Sequence, residues 1–253
     1  MEKLVVGNLK MNILSPLERE QYFKLFKKEL AGKKLSRTSI VLCPPAIHLE
    51  AFKKLKSKKV FLGVQNMFWE RNGSYTGEIS PDMVRNFGAE WVILGHSERR
   101  RYFGENDEEI GLKVMAALKT GLRPLLCVGE KEKQGNGSAT IMSQLKNCLK
   151  EVGAARIENV VICYEPVWAI SANNPDHLPT TDGVMSARIL IKRFLVEKYS
   201  AKTADKVKII YGGSVDSKNA KNICVDSGMD GALVGRESLA PYEFIKIAEI
   251  INQ

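Results

Sequence analysis

The chain has 253 residues, 44% of them apolar and 26% charged, which is the balance of an ordinary globular protein with a sizeable core. No run of 18 apolar residues is present, which excludes a transmembrane helix, and five cysteines without a Cys-x-x-Cys pair argue against a disulfide scaffold or a zinc site. The net charge of +9 suits anionic partners, either phosphorylated metabolites or nucleic acid.

Residues 1–11 run straight into a strand-like pattern without the apolar stretch of a signal peptide, so a cytoplasmic protein is expected. Short apolar runs then recur at residues 4–9, 39–43, 60–64, 91–94, 122–128, 160–164, 207–211 and 231–234. They are nearly continuous in apolar character, as strands covered on both faces should be. Amphipathic segments alternate with them. The first, 16–30, opens with Ser15 as cap and Pro16 at the first helical position, and Tyr22, Phe23, Leu25, Phe26 and Leu30 form its predicted apolar stripe. Further helices are expected at 46–55, 81–87, 107–119, 138–151, 181–199, 218–226 and 241–251.

Eight strand–helix alternations predict parallel strands with helical crossovers. An open doubly wound sheet would place a Gly-x-Gly-x-x-Gly turn after the first strand, and Gly7-Asn8-Leu9-Lys10-Met11-Asn12 is not one. The expected fold is therefore α/β, one (β/α)8 TIM barrel occupying residues 1–253 as one domain. Cys43, Cys127 and Cys163 end apolar runs and read as small core hydrophobes. Basic residues are spread along the helical segments, with no Arg-rich tail and no basic–aromatic interleaving. They read as solvated faces, and neither a nucleic-acid nor a membrane partner is expected.

In such barrels the C-terminal strand ends carry the chemistry. Here they hold Asn8 and Lys10, then Gly95-His96-Ser97-Glu98-Arg99, Cys127-Val128-Gly129-Glu130, Tyr164-Glu165-Pro166-Val167-Trp168, Tyr211-Gly212-Gly213-Ser214 and Val234-Gly235-Arg236. A carboxylate such as Glu165 can take a proton from carbon. The His96 imidazole can donate to a developing enediolate oxygen, and the Lys10 ammonium can stabilise its charge. Gly212-Gly213-Ser214 and Gly235 can offer backbone N–H groups to a phosphate. A lone histidine, a lone glutamate or a Gly-Gly-Ser turn is commonly structural. The convergence of all of them on one predicted face favours function. His48 follows Pro44-Pro45 and reads as structural, and His177 lacks such company.

These motifs, in this order and over nearly the whole chain, resemble the triosephosphate isomerase family. Gly7-Asn8-Leu9-Lys10-Met11-Asn12 is similar to its first-strand motif, with Leu9 where the family usually has Trp. Gly95-His96-Ser97-Glu98-Arg99-Arg100, Cys127-Val128-Gly129-Glu130, Tyr164-Glu165-Pro166-Val167-Trp168-Ala169-Ile170 and Tyr211-Gly212-Gly213-Ser214-Val215 match it, and Gln65-Asn66 with Thr76-Gly77-Glu78-Ile79-Ser80 resembles its third loop. The resemblance implies a cofactor-free aldose–ketose isomerase acting on a triose phosphate in glycolysis and gluconeogenesis. It implies Glu165 as base, His96 as neutral electrophile, Lys10 as charge stabiliser paired with Glu98, and Asn8 as orienting group. It also implies that Ser171, Ser214, Gly235 and the Arg236 N–H hold the phosphate. Ser97 and Cys127 are implied as supports, and Thr76 as the residue that a homodimer sends to its partner's site.

Two departures stand out. The second glycine of the last phosphate turn is Arg236. The lid after the sixth strand, 171–181, has no glycine at its tip and carries about three extra residues, which loops tolerate. The lid is still expected to close, hinging at 166–168, with 173–178 outside the pocket as a surface excursion. A sugar-phosphate epimerase or an indole-forming synthase would need other acids and bases at the strand ends than the set Asn8, Lys10, His96 and Glu165. That set also argues against a non-catalytic binding barrel, the reading that the atypical lid leaves standing.

Overall fold

A computed structural model describes residues 2–132, 137–170 and 178–253. Ser171, His177 and the lid segment 171–177 lie outside the described residues. Eight strands close into a barrel in chain order: β1 Lys3–Asn8, β2 Thr38–Cys43, β3 Val60–Val64, β4 Trp91–Leu94, β5 Arg123–Val128, β6 Val161–Tyr164, β7 Ile209–Tyr211 and β8 Gly231–Val234. Every neighbouring pair is parallel, and β8 returns to β1 through pairs such as Val5 with Ala232. All eight predicted runs are strands, with ends displaced by at most two residues.

The near-continuous apolar character of the strands divides by alternation. Leu4, Val6, Val41, Ile93, Leu125, Cys127, Cys163, Ile210 and Leu233 pack together inside the barrel. Val5, Ile40, Leu42, Val92, Leu126, Ile162 and Ile209 face the surrounding helices. Side chains one residue apart point to opposite faces. The inward register of Val6 and Cys163 therefore carries Asn8 and Glu165, two positions on, to the axis at the C-terminal end. All five cysteines are buried free thiols, as expected for Cys43, Cys127 and Cys163 as small core hydrophobes.

The helix Pro16–Leu30 begins where predicted, with the Ser15 hydroxyl accepting from the Glu18 N–H at 3.2 Å. Tyr22, Phe23 and Phe26 are buried, but Leu25 is exposed. At 100° per residue the three aromatic positions share an arc that leaves Leu25 on its flank. Asn106 and Glu109 form a reciprocal capping box at the start of Asp107–Lys119. Thr180 caps the helix Thr181–Lys198. The expected helix over 46–55 is instead a helical turn, Leu49–Phe52, between two 3-10 turns, and the one over 218–226 contracts to a π-helical segment, Lys221–Asp226. Among the elements that were not expected, besides the short helices Ala154–Ile157 and Ala201–Ala204, is a six-residue helix, Ser97–Tyr102, directly after β4. Its sequence SERRRY has no apolar period to announce it. Among the described residues no helix is long and apolar enough to cross a membrane.

Candidate active site

A cavity of about 280 Å³ opens at the C-terminal ends of the strands, lined by Asn8, Lys10, His96, Glu98 and Glu165 on one side and by Gly212, Gly213, Ser214, Gly235 and Arg236 on the other. The barrel thus brings together candidates from strand ends 1, 4, 6, 7 and 8, while Ser97 lies behind Glu165 and Ser171 is outside the described residues.

Lys10 adopts φ 50, a left-handed conformation that is uncommon for a residue with a side chain. Its neighbours hold it there. The Asn8 Oδ1 accepts the Lys10 N–H at 3.0 Å, and Gln65 Nε2 donates to the carbonyls of Lys10 and Cys43 at 2.8 and 2.9 Å. The Ser238 hydroxyl donates to the Asn8 carbonyl at 3.2 Å. Beyond the turn, Ile13 at φ 63 meets the buried His48, whose Nε2 lies 2.8 Å from its carbonyl oxygen. His48 is structural, as expected. The Lys10 ammonium donates to Glu98 Oε1 at 2.5 Å, which is the pairing foreseen from the sequence.

His96 is buried and caps the helix Ser97–Tyr102, its Nδ1 accepting the Glu98 N–H at 3.2 Å. A nitrogen that accepts an N–H carries no proton, so the ring is a neutral imidazole with its hydrogen on Nε2. That nitrogen stands 3.0 Å from Glu165 Oε1. Gly95, just before it, has φ +69, which suits glycine, and turns the chain from strand to helix.

Glu165 is only 2% exposed. Its carboxylate accepts from the Ser97 N–H at 2.9 Å and from the Ser97 hydroxyl at 3.0 Å. A buried carboxylate is tolerated because donors surround it. Its backbone is pressed against β5: a Cβ on Gly129 would lie 2.0 Å from the Glu165 carbonyl oxygen, so only glycine fits there. Cys127 sits below it in the barrel interior, and burial pushes its thiol well above the usual range, with the neighbouring Cys163 thiol adding to the effect.

The opposite end is arranged differently. The Gly212 N–H donates to the Tyr164 carbonyl at 2.7 Å. The Ser214 N–H and hydroxyl both donate to the Ala169 carbonyl, at 3.2 and 2.8 Å. Two of the amides expected at a phosphate are therefore engaged within the chain. Gly235 and Arg236 meet the cavity at the start of the 3-10 turn Arg236–Leu239, with Arg236 exposed at the rim.

Sequence reasoning overlooked Glu130. Its carboxylate accepts from the Tyr164 hydroxyl at 2.9 Å and the Trp168 indole N–H at 2.8 Å, tying the segment after β6 to β5. Burial, then the Glu130 charge, pushes the Tyr164 phenol far above its usual range. Gln65 and Ser238 were missed as supports of the first strand end because the carbonyls they approach there, those of Lys10, Cys43 and Asn8, are far away in sequence; the Ser238 hydroxyl also meets the nearby Gly235 carbonyl at 2.6 Å.

Thr76 lies on a loop exposed over residues 71–78. Tyr75 is exposed there and packs tilted against Phe68, with ring centroids 4.5 Å apart. Ile79, which a protruding loop would leave exposed, is half-buried against the core, and the Phe68 N–H donates to its carbonyl at 2.8 Å at the base of the loop.

The family profile described as "Triosephosphate isomerase" matches residues 3–251. The triosephosphate isomerase of Thermoanaerobacter sp. (strain X514) is 40% identical over 248 residues, covering 96% of this chain and 97% of that protein. That of Dictyoglomus turgidum (strain DSM 6724 / Z-1310) is 40% identical over 246 residues, covering 96% of each chain. That of Lactobacillus delbrueckii subsp. bulgaricus is 34% identical over 248 residues, again covering 96% of each. The barrel, the strand-end residues it gathers and this coverage together place the chain in the triosephosphate isomerase family.

Proposed function

We propose that the chain, as a single barrel domain, interconverts dihydroxyacetone phosphate and D-glyceraldehyde 3-phosphate through an enediolate, without a cofactor, as a step of glycolysis and, in reverse, gluconeogenesis. The observation that carries this reading is the buried Glu165 carboxylate, 3.0 Å from the neutral imidazole Nε2 of His96 in a cavity that also holds the Lys10 ammonium.

Glu165 is assigned as the base. It removes a proton from one carbon and returns it to the neighbouring carbon, so the net reaction moves hydrogen without changing composition. To do so its carboxylate leaves the Ser97 donors and turns toward substrate. The His96 Nε2–H donates to the carbonyl oxygen as negative charge gathers there, and Lys10, held by Glu98, offsets that charge; the proton of the neighbouring hydroxyl passes to that oxygen beside His96, so that one oxygen becomes the carbonyl as the other becomes the hydroxyl. Asn8 orients the substrate, and Ser97 and Cys127 shape the resting position of the base. Ser171, Ser214, Gly235 and the Arg236 N–H are assigned to the phosphate. For Ser214 this requires exchanging the Ala169 carbonyl for a phosphate oxygen.

A homodimer follows from the same reading. Met11, Leu14 and Ile47 are 89%, 81% and 85% exposed, and Tyr102 and Phe103 also stand outside, all on segments that follow β1, β2 and β4 beside the mouth. Such an apolar rim needs a cover, and a two-fold contact would carry Thr76 to the partner's site. Sedimentation at micromolar concentration tests this, a fully active monomer being the contrary result. A cytoplasmic location accords with five thiols, none of them paired.

The deciding experiment is an assay of purified protein with triose phosphate, coupled to nicotinamide oxidation. Turnover inhibited by a phosphoglycolate-type anion is expected. No turnover from folded dimer would overturn the assignment.

A further inference from the structure

We propose that the sector formed by residues 19–59 binds single-stranded RNA through its phosphodiester backbone, without reading bases. The sequence alone suggested solvated helix faces and no nucleic-acid partner; the fold gathers those charges into one surface. Of the 38 basic residues, 12 lie in 19–59, with only three acidic ones, whereas the other 26 basic residues are balanced by 26 acidic ones. The whole net charge of +9 thus resides in this segment.

The segment is contiguous in space. Phe52 packs on Phe23 and Tyr22 at 4.8 and 5.8 Å, joining the turn Leu49–Phe52 to the helix Pro16–Leu30. Lys54 reaches Glu20 at 3.8 Å, and Lys59 donates to the Ser36 carbonyl at 3.2 Å. Arg19, Lys33, Lys54, Lys56 and Lys59 face carboxylates. Lys24, Lys27, Lys28, Lys34 and Lys58 are exposed and make no ion pair among the described residues. The loops before β2 and β3 lie at the N-terminal ends of the strands, opposite the cavity. Bound anion there would leave the mouth open.

The chemistry selects the occupant. The surface is built mainly from lysine, a point charge suited to phosphate oxygens. Its own aromatics, Tyr22, Phe23, Phe26 and Phe52, are all buried, and the exposed Phe87, 5.5 Å from the Lys53 ammonium at its edge, offers one ring that can stack on any base without reading sequence. It also turns a corner, from the outer face of a 15-residue helix, about 22 Å long, to the base of the barrel. A flexible polyanion follows such a convex ridge, whereas a planar membrane meets it at one tangent.

The test measures anisotropy of labelled oligo(U) and oligo(A) with the full-length enzyme between 50 and 200 mM salt. With about five phosphates neutralised, affinity should fall roughly 100-fold across that range, equally for both oligomers. The triple variant Lys24→Glu, Lys27→Glu, Lys28→Glu should weaken binding at least about tenfold at the lower salt. A control triple elsewhere on the barrel, Lys202→Glu, Lys218→Glu, Lys246→Glu, should change it less than about threefold, although its net charge is the same. Both variants should keep wild-type isomerase turnover and thermal unfolding. Milder Lys→Gln versions should show the same ranking should the reversals disturb folding. Absence of binding at 50 mM salt, equal weakening by both triples, or displacement by phosphoglycolate would overturn the proposal. So would equally tight, equally patch-dependent binding to phosphatidylserine vesicles, which would make the surface a lipid dock.

Discussion

The two ends of the cavity are built by different means. At the end assigned to proton transfer, Asn8, Lys10, His96, Glu98 and Glu165 are positioned by contacts already complete in the chain, such as Lys10 to Glu98 at 2.5 Å and Ser97 to Glu165 at 2.9 and 3.0 Å. At the phosphate end, the Gly212 and Ser214 donors are spent on the carbonyls of Tyr164 and Ala169. Lys10 and His96 are preorganised at one end, where Glu165 alone must leave its Ser97 donors, whereas Gly212 and Ser214 at the other must both break internal hydrogen bonds to accept a ligand. Electrostatic stabilisation is cheapest when donors need not move at the moment of reaction. A binding contact that must first be released can instead couple the phosphate to the segment that held it, here residues 166–169.

The largest effect should come from the preorganised end. Glu165→Gln keeps the shape and removes the base, and turnover should fall about 10²–10⁴-fold at saturating triose phosphate. A variant retaining half of wild-type turnover would remove Glu165 from the role. Lys10→Met preserves length without charge, and turnover should drop about 10²–10³-fold together with weaker binding of a phosphorylated inhibitor. Unchanged values of both would take Lys10 out of the site.

Glu130 joins the two ends, since it anchors Trp168 next to the segment that engages Ser214. Glu130→Ala strands a buried phenol and an indole N–H, each costing about 1–3 kcal/mol. For a chain of this size thermal unfolding should shift down by about 2–4 °C per kcal/mol. No shift would show that the tie is idle. The smallest effect belongs to Ser214→Ala at the exchanging end. The variant loses one hydroxyl contact to phosphate, about 1 kcal/mol, but also loses the competing bond to Ala169. KM should rise by less than about fivefold with kcat nearly constant. A large fall in kcat would mean that Ser214 acts in the chemical step and that the contrast between the ends is false.

The architecture was legible because it rests on short-range pattern. Eight apolar runs became eight strands, and period-two alternation is enough to send Asn8 and Glu165 inward once Val6 and Cys163 face the axis. The pairing of Lys10 with Glu98 was also foreseen, but from family resemblance, since the two are 88 positions apart. Local physics did not announce the helix Ser97–Tyr102, whose charged sequence forms because His96 caps it and β4 delivers it to the cavity. Nor did it place Leu25 outside the stripe of Pro16–Leu30, where the arc of buried aromatics decides.

By itself, then, the sequence determined the order of elements and the chemical types available at the strand ends, because each of these depends on residues a few positions apart; which apolar face of each strand turns inward was decided by closing the barrel. Only the tertiary structure decided which donors are spoken for. Gln65 on Lys10, Glu130 on Trp168, Ser214 on Ala169 and Ser238 on Asn8 pair groups 38 to 230 positions apart. A hydrogen bond needs two atoms within about 3 Å of each other, and closing the barrel is what brings such distant groups within that reach.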